Sequence, residues 1–235
     1  MEQQLITEGI KLYKNGKYTD ALKFFQSLSA NEVDDSDTAY YIGLCYMQLE
    51  KYEDALLYLE QVVTIIPEDK RGQDRILQCR MTLAVIYAKT DRIRLAEFEL
   101  KSLEESGYKP ATVYAAMAYI AWTQQEYENC VNYYEKALDI EPENVTALNG
   151  LGYVLACLNK DLTRALMLSK RALDMSAQSI ACLDTVGWVY YKLGLYEEAQ
   201  SFLKKALSID SSNEEVVEHL KVVQANGSAP KLGGQ

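Results

Sequence analysis

Ser36–Pro67, SDTAYYIGLCYMQLEKYEDALLYLEQVVTIIP, decides the fold. Its first half reads as one helix to about Glu50. Its second half restarts at Tyr52 and places Ala55, Leu56, Leu59, Val62 and Val63 on a single helical face. Pro67 cannot continue that helix and restricts the residue before it. The stretch therefore predicts two amphipathic helices joined by a short turn.

The same arrangement recurs on both sides. A glycine or alanine stands at Gly9, Gly43, Ala84, Ala118, Gly152 and Gly187, with gaps of 34, 41, 34, 34 and 35. A second small-residue series, Ala21, Ala55, Ala96, Cys130, Ala165 and Ala199, keeps step with gaps of 34, 41, 34, 35 and 34. Two series sharing one period identify a repeat architecture. The seven surplus residues of the long gap fall at about Asp69–Arg75 and read as an N-terminal extension of the next helix. The single insertion behind the 35-residue gaps is placed in the Leu158–Asp161 turn.

The small residues, tyrosines and prolines together resemble the tetratricopeptide repeat. The matching positions are Gly43, Tyr46, Tyr52, Ala55 and Pro67 in the second repeat, and Ala118, Tyr127, Tyr134, Ala137 and Pro142 in the fourth. The sixth offers Gly187, Tyr190, Leu193, Gly194, Tyr196, Ala199 and Ala206. The fifth has lost the turn tyrosine where Asp161 or Leu162 stands, and the third carries Ile93 there with its proline displaced to Pro110. The resemblance implies an all-α solenoid over 1–226, a right-handed superhelix of six hairpins at about 2–35, 36–69, 77–110, 111–144, 145–179 and 180–213. A capping helix at about 213–225 follows, begun by a capping box of Ser212 and Glu215. Val216, Val217, Leu220 and Val223 would cover the last repeat, and 227–235 reads as a flexible tail.

Composition narrows the function. The 235 residues carry a formal net charge of −10, which repels phosphate backbones and anionic membrane surfaces, so neither nucleic acid nor membrane insertion is expected. No run approaches the roughly 18 apolar residues of a membrane helix. The first residues lack a basic, then apolar, leader, which favours a cytoplasmic location; a trimmed leader would leave the periplasm open. The five cysteines have no CxxC spacing and read as buried, reduced thiols.

Chemistry is hard to find. The single histidine, His219, reads as a solvated residue beside Glu215 and Glu218, and no nucleotide-binding glycine motif appears. No ligand cluster supports a metal site, no cofactor is expected, and the chain reads as non-catalytic.

The resemblance implies that the first helix of each hairpin lines a concave groove. Helical spacing then nominates Tyr40, Leu44, Tyr119, Trp122, Asn149, Tyr153, Asp184, Trp188 and Tyr191 as its lining. Only Asn149 has the character of the Lys/Asn set with which some relatives clamp a terminal carboxylate. The face is instead aromatic, and tyrosine and tryptophan are favoured as binding anchors. The expected function is an adaptor that holds an extended or helical protein segment, with the acidic surroundings favouring basic flanks. Two other occupants stay open: the chain's own packing, and a second copy in a homo-oligomeric scaffold.

Overall fold

The computed structural model describes residues 2–29, 36–67 and 69–227. The end of the expected first hairpin, 30–35, and most of the expected tail lie outside them. Thirteen α-helices and no strands occur among the described residues. They fall into two compact units, residues 1–109 and 110–235.

The first unit holds three hairpins: α1 (Glu2–Lys14) with α2 (Tyr18–Ser29), α3 (Ser36–Gln48) with α4 (Tyr52–Val63), and α5 (Lys70–Lys89) with α6 (Ile93–Glu105). The second holds α7 (Pro110–Thr123) with α8 (Tyr127–Ile140), α9 (Val145–Cys157) with α10 (Leu162–Met175), and α11 (Ile180–Lys192) with α12 (Tyr196–Ile209), followed by α13 (Glu214–Gly227). Inside each unit, consecutive odd-numbered helices touch one another, and each even-numbered helix except α6, which packs on α5, lies between two of them. None of the helices is long and apolar enough to cross a membrane.

The small-residue series mark the helix crossings. Ala21, Ala55, Ala96, Cys130, Ala165 and Ala199 are completely buried. At Gly43 a Cβ atom would come within 2.6 Å of the Leu59 side chain. A side chain at this position would hold the helix axes apart, and its absence permits the close approach of about 8–10 Å typical of packed helices.

The turns repeat one geometry. Three-residue loops close α3–α4, α7–α8 and α11–α12, with the middle residue in the left-handed region: Glu50 at φ 57°, Gln125 at 62° and Gly194 at 76°. The next amide donates to a carbonyl five residues back, as Lys51 N to Tyr46 O at 2.9 Å and Leu195 N to Tyr190 O at 2.9 Å. This bond satisfies a terminal carbonyl of the preceding helix. For Glu50 and Gln125 the conformation costs about 1 kcal/mol that Gly194 avoids.

Both predicted irregularities appear where the sequence puts them. The surplus before the third hairpin extends α5 to 20 residues, started by Asp69, whose carboxylate accepts from Gly72 N at 2.7 Å. The α9–α10 loop holds four residues, 158–161; Leu162 takes the first helical position that Tyr52, Tyr127 and Tyr196 hold in other hairpins, and Asp161 before it is the cap, accepting from Arg164 N at 3.0 Å. Pro110 opens α7, where its missing amide hydrogen costs nothing.

The start of α13 differs from expectation. Asn213 Oδ1 accepts from Val216 N at 3.1 Å, so Asn213 and not Ser212 is the cap. Ser212 is held instead by Asp210, whose Oδ1 accepts from the Ser212 amide at 2.9 Å and its hydroxyl at 2.7 Å. With Ser212 turned back, the asparagine one residue later is the side chain in reach of the free amides.

All five cysteines are free; four are buried and Cys157 is half-buried. Burial pushes the thiols of Cys45, Cys79 and Cys130 up to about 12 and raises Cys157 and Cys182 as well.

Candidate functional site

In the first unit the nominated residues are Tyr40 and Leu44, both on α3. Tyr40 is buried, and the Arg75 guanidinium lies 4.5 Å from its ring centre. Arg75 also pairs with Asp37 at 3.1 Å, and the Tyr40 hydroxyl donates to Gln78 Oε1 at 3.4 Å. Burial raises the Tyr40 phenol well above its usual value, and Arg75 opposes the rise. The lengthened N-terminal part of α5 thus supplies a cation that covers Tyr40 (a contact the sequence reading did not foresee). Leu44 is half-buried one turn further along α3.

The other seven nominated residues lie in the second unit, on α7, α9 and α11. The rings of Trp122, Tyr153, Trp188 and Tyr191, joined by those of Tyr127 and His219, form an unbroken run of contacts. Tyr127 meets Trp122 at 5.3 Å, Trp122 meets Tyr153 at 6.0 Å, and Tyr153 lies 6.4 Å from the His219 ring. His219 stacks on Trp188 at 4.2 Å, which meets Tyr191 at 4.9 Å. Each well-placed aromatic pair adds about 0.5–1.5 kcal/mol beyond its buried area. Tyr119, on the α7 side of this run, is 49% exposed. Asn149 Oδ1 is buried without a hydrogen-bond partner among the described residues. Lys192 extends over the rings of Trp188 and Tyr191 at 5.2 and 5.9 Å.

One expectation is corrected here. His219 is not a solvated residue: its side chain is 13% exposed, and Nδ1 lies 2.9 and 3.0 Å from the two oxygens of Asp184. Asp184, nominated for the groove lining, is itself buried at 5% exposed. The cause is register. Asn149, Asp184 and His219 are each 35 residues apart, so α13 meets α11 as α11 meets α9, and His219 takes the position on α13 that Asp184 holds on α11. Carrying the period one step past the sixth hairpin would have found this contact in the sequence.

The expectation that no metal-ligand cluster exists also fails. Asp184, Glu215 and His219 each bring one ligand atom to within 4.8 Å of the others. Burial raises the Tyr153 phenol, and the nearby Cys157, Glu215 and Asp184 push the same way.

Comparison with known proteins follows the same lines. Tetratricopeptide repeat families match residues 143–212 and 111–144, and the family of anaphase-promoting complex, cyclosome, subunit 3 matches residues 7–62. The human mitochondrial import receptor subunit TOM70 is 22% identical over 77% of this chain and 30% of its own length. A TPR repeat-containing protein of Methanocaldococcus jannaschii is 22% identical over 93% of this chain and 38% of its own. The chain therefore spans about a third of the length of these curated relatives. A crystal structure of a tetratricopeptide repeat protein from Parabacteroides merdae superimposes with a TM-score of 0.76 at 17% identity, over 94% of this chain and 83% of that one. The repeat-family matches, the hairpin series and the shared fold agree: the chain is a tetratricopeptide repeat protein.

Proposed function

We propose that the chain is a non-catalytic adaptor that holds a segment of a partner protein against the odd-numbered helices of its second unit. The observation that carries this reading is the ring-to-ring run through Trp122, Tyr153, Trp188 and Tyr191, flanked by half-exposed Tyr119. Rigid aromatic side chains held by one another lose little freedom when a partner lands on them. Asn149 adds an acceptor lacking a donor, which an incoming backbone amide would satisfy after a small rotation. The exposed Glu214, Glu215 and Glu218 on α13, with the net charge of −10, favour basic residues flanking the apolar part of the segment. Tyr40 and Leu44 would play the corresponding part in the first unit.

The α11 end of the face is already partly covered by α13, so the chain's own packing and partner binding divide the surface. Tyr119, Trp122 and Tyr153 are the contacts left for the partner, and Trp188 and Tyr191 form its border with α13.

Both tryptophans of the chain belong to this face, so their emission reports its occupancy directly. A basic-flanked amphipathic peptide titrated against the protein should shift that emission and saturate. Trp122→Ala should weaken binding about tenfold or more, with helical content unchanged by circular dichroism. Undiminished affinity in a folded Trp122→Ala protein removes the face from consideration. Light scattering that shows a concentration-dependent dimer, abolished by the same substitution, would replace the adaptor by the homo-oligomeric scaffold.

A further inference from the structure

We propose that Asp184, Glu215 and His219 form a divalent-cation site of the zinc class that fastens α13 to α11. This site shares Glu215 with the acidic border of the proposed partner face, but it is argued from its own geometry and stands whether or not the adaptor reading holds.

Three observations converge. The ligand atoms of the three side chains all lie within 4.8 Å of one another. Glu215 and His219 are four residues apart on α13 and so share one helical face, while Asp184 comes from α11. Both helices are anchored by apolar packing, with Leu183 of α11 and Val216 and Val223 of α13 in one core cluster. The backbone positions that deliver the ligands are therefore set independently of the ligands themselves.

The charge balance calls for a cation. Asp184 is a carboxylate 5% exposed, and Glu215 brings a second carboxylate beside it. Among the described residues neither has a lysine or arginine in ion-pair range; the one basic group facing Asp184 is the His219 imidazole. A buried carboxylate with a second one close by is costly unless positive charge accompanies it. A divalent ion neutralises both.

The geometry accommodates one. Zinc bound to nitrogen and oxygen at about 2.0–2.2 Å in a tetrahedron sets ligand atoms about 3.4 Å apart. His219 Nδ1 and the Asp184 oxygens, now 2.9 and 3.0 Å apart, would open by a few tenths of an ångström. Glu215 is exposed and free to swing inward. Nδ1 would give its lone pair to the metal, leaving the proton on Nε2, and water would complete the fourth position. Trp188, stacked on the imidazole at 4.2 Å, holds the ring in the orientation that this requires. One imidazole with two carboxylates is a borderline-hard donor set suited to zinc.

The test is a calorimetric titration of the chelator-treated full chain with zinc chloride, paired with thermal unfolding. One zinc per chain should bind, and the unfolding temperature should rise. Glu215→Ala should weaken zinc affinity by about tenfold or more and leave the zinc-free unfolding temperature unchanged, since Glu215 is exposed. His219→Gln should remove the zinc-induced rise altogether. Absence of saturable binding up to about 100 µM zinc overturns the proposal. So does wild-type affinity in both variants, which would place the metal on the thiols.

Discussion

Gly187→Val should unfold the last two hairpins of the second unit at temperatures where the wild-type protein is intact. A Cβ at this position would sit 2.8 Å from Leu203 Cγ and 3.2 Å from the Ala199 carbonyl oxygen. Leu203 can move its tip, but it is completely buried and has little room. The Ala199 carbonyl belongs to helical backbone and cannot yield without parting α11 from α12. Valine then adds two methyl groups to a crossing that already lacks space for one carbon. Overpacking of this kind costs about 1–3 kcal/mol, and a backbone clash puts the expected loss near the upper end. Valine's somewhat better helix propensity than glycine recovers only a few tenths. Stability in a repeat array is a sum over neighbours, so the loss should stay local. Hydrogen exchange should show α9 to α13 losing protection, α11 and α12 most, while α7 and α8 keep theirs. Gly187→Ala should fall between the two proteins. Equal protection of α11 in the valine variant would mean that this residue does not mark a helix crossing.

Ending the chain after Asp210, and so removing α13, should have an effect of similar size with a different signature. Val216 and Val223 are 2% and 0% exposed and close the cluster that contains Leu183, Ala199, Leu203 and Ala206. Each lost valine contact forfeits about 1.5–3 kcal/mol, so the final hairpin should lose about 4 kcal/mol. The same deletion uncovers Asp184 and the face of Trp188 that His219 stacks upon. A contiguous apolar edge in water promotes association, so the shortened chain should aggregate with increasing concentration. Val223→Asp, which places a charge at a fully buried position, should reproduce the loss without shortening the chain. A monomeric, fully protected α11–α12 hairpin in either variant would contradict the capping role.

What the sequence disclosed and what it concealed divide along a physical line. Position along a helix is legible, because glycine, alanine and proline report local crowding and local breaks. The buried alanines from Ala21 to Ala199, the lengthened α5 and the extra residue beside Asp161 all follow from that. Rotation of one helix about its axis against another is set by packing over a whole interface. The Arg75 guanidinium over Tyr40 and the imidazole of His219 over Trp188 both depend on that rotation. His219 read as solvated because its immediate neighbours, Glu215 and Glu218, are acidic. The 35-residue spacing to Asp184, a longer-range signal, was the one that mattered. Competition between adjacent side chains likewise decided the cap of α13: Asp210 claimed Ser212, and Asn213 took its place.

The cysteines have a practical consequence. They fall on α3, α5, α8, α9 and α11, so five of the six hairpins contain one each. With a thiol near 12, as at Cys45, Cys79 and Cys130, only about one molecule in 10⁵ carries the reactive thiolate at neutral pH. Alkylating reagents therefore react with these sulfurs chiefly when a hairpin opens. The native chain carries its own position-specific opening probes, and mass spectrometry of modified peptides can rank its segments by how often they breathe, without any engineered label.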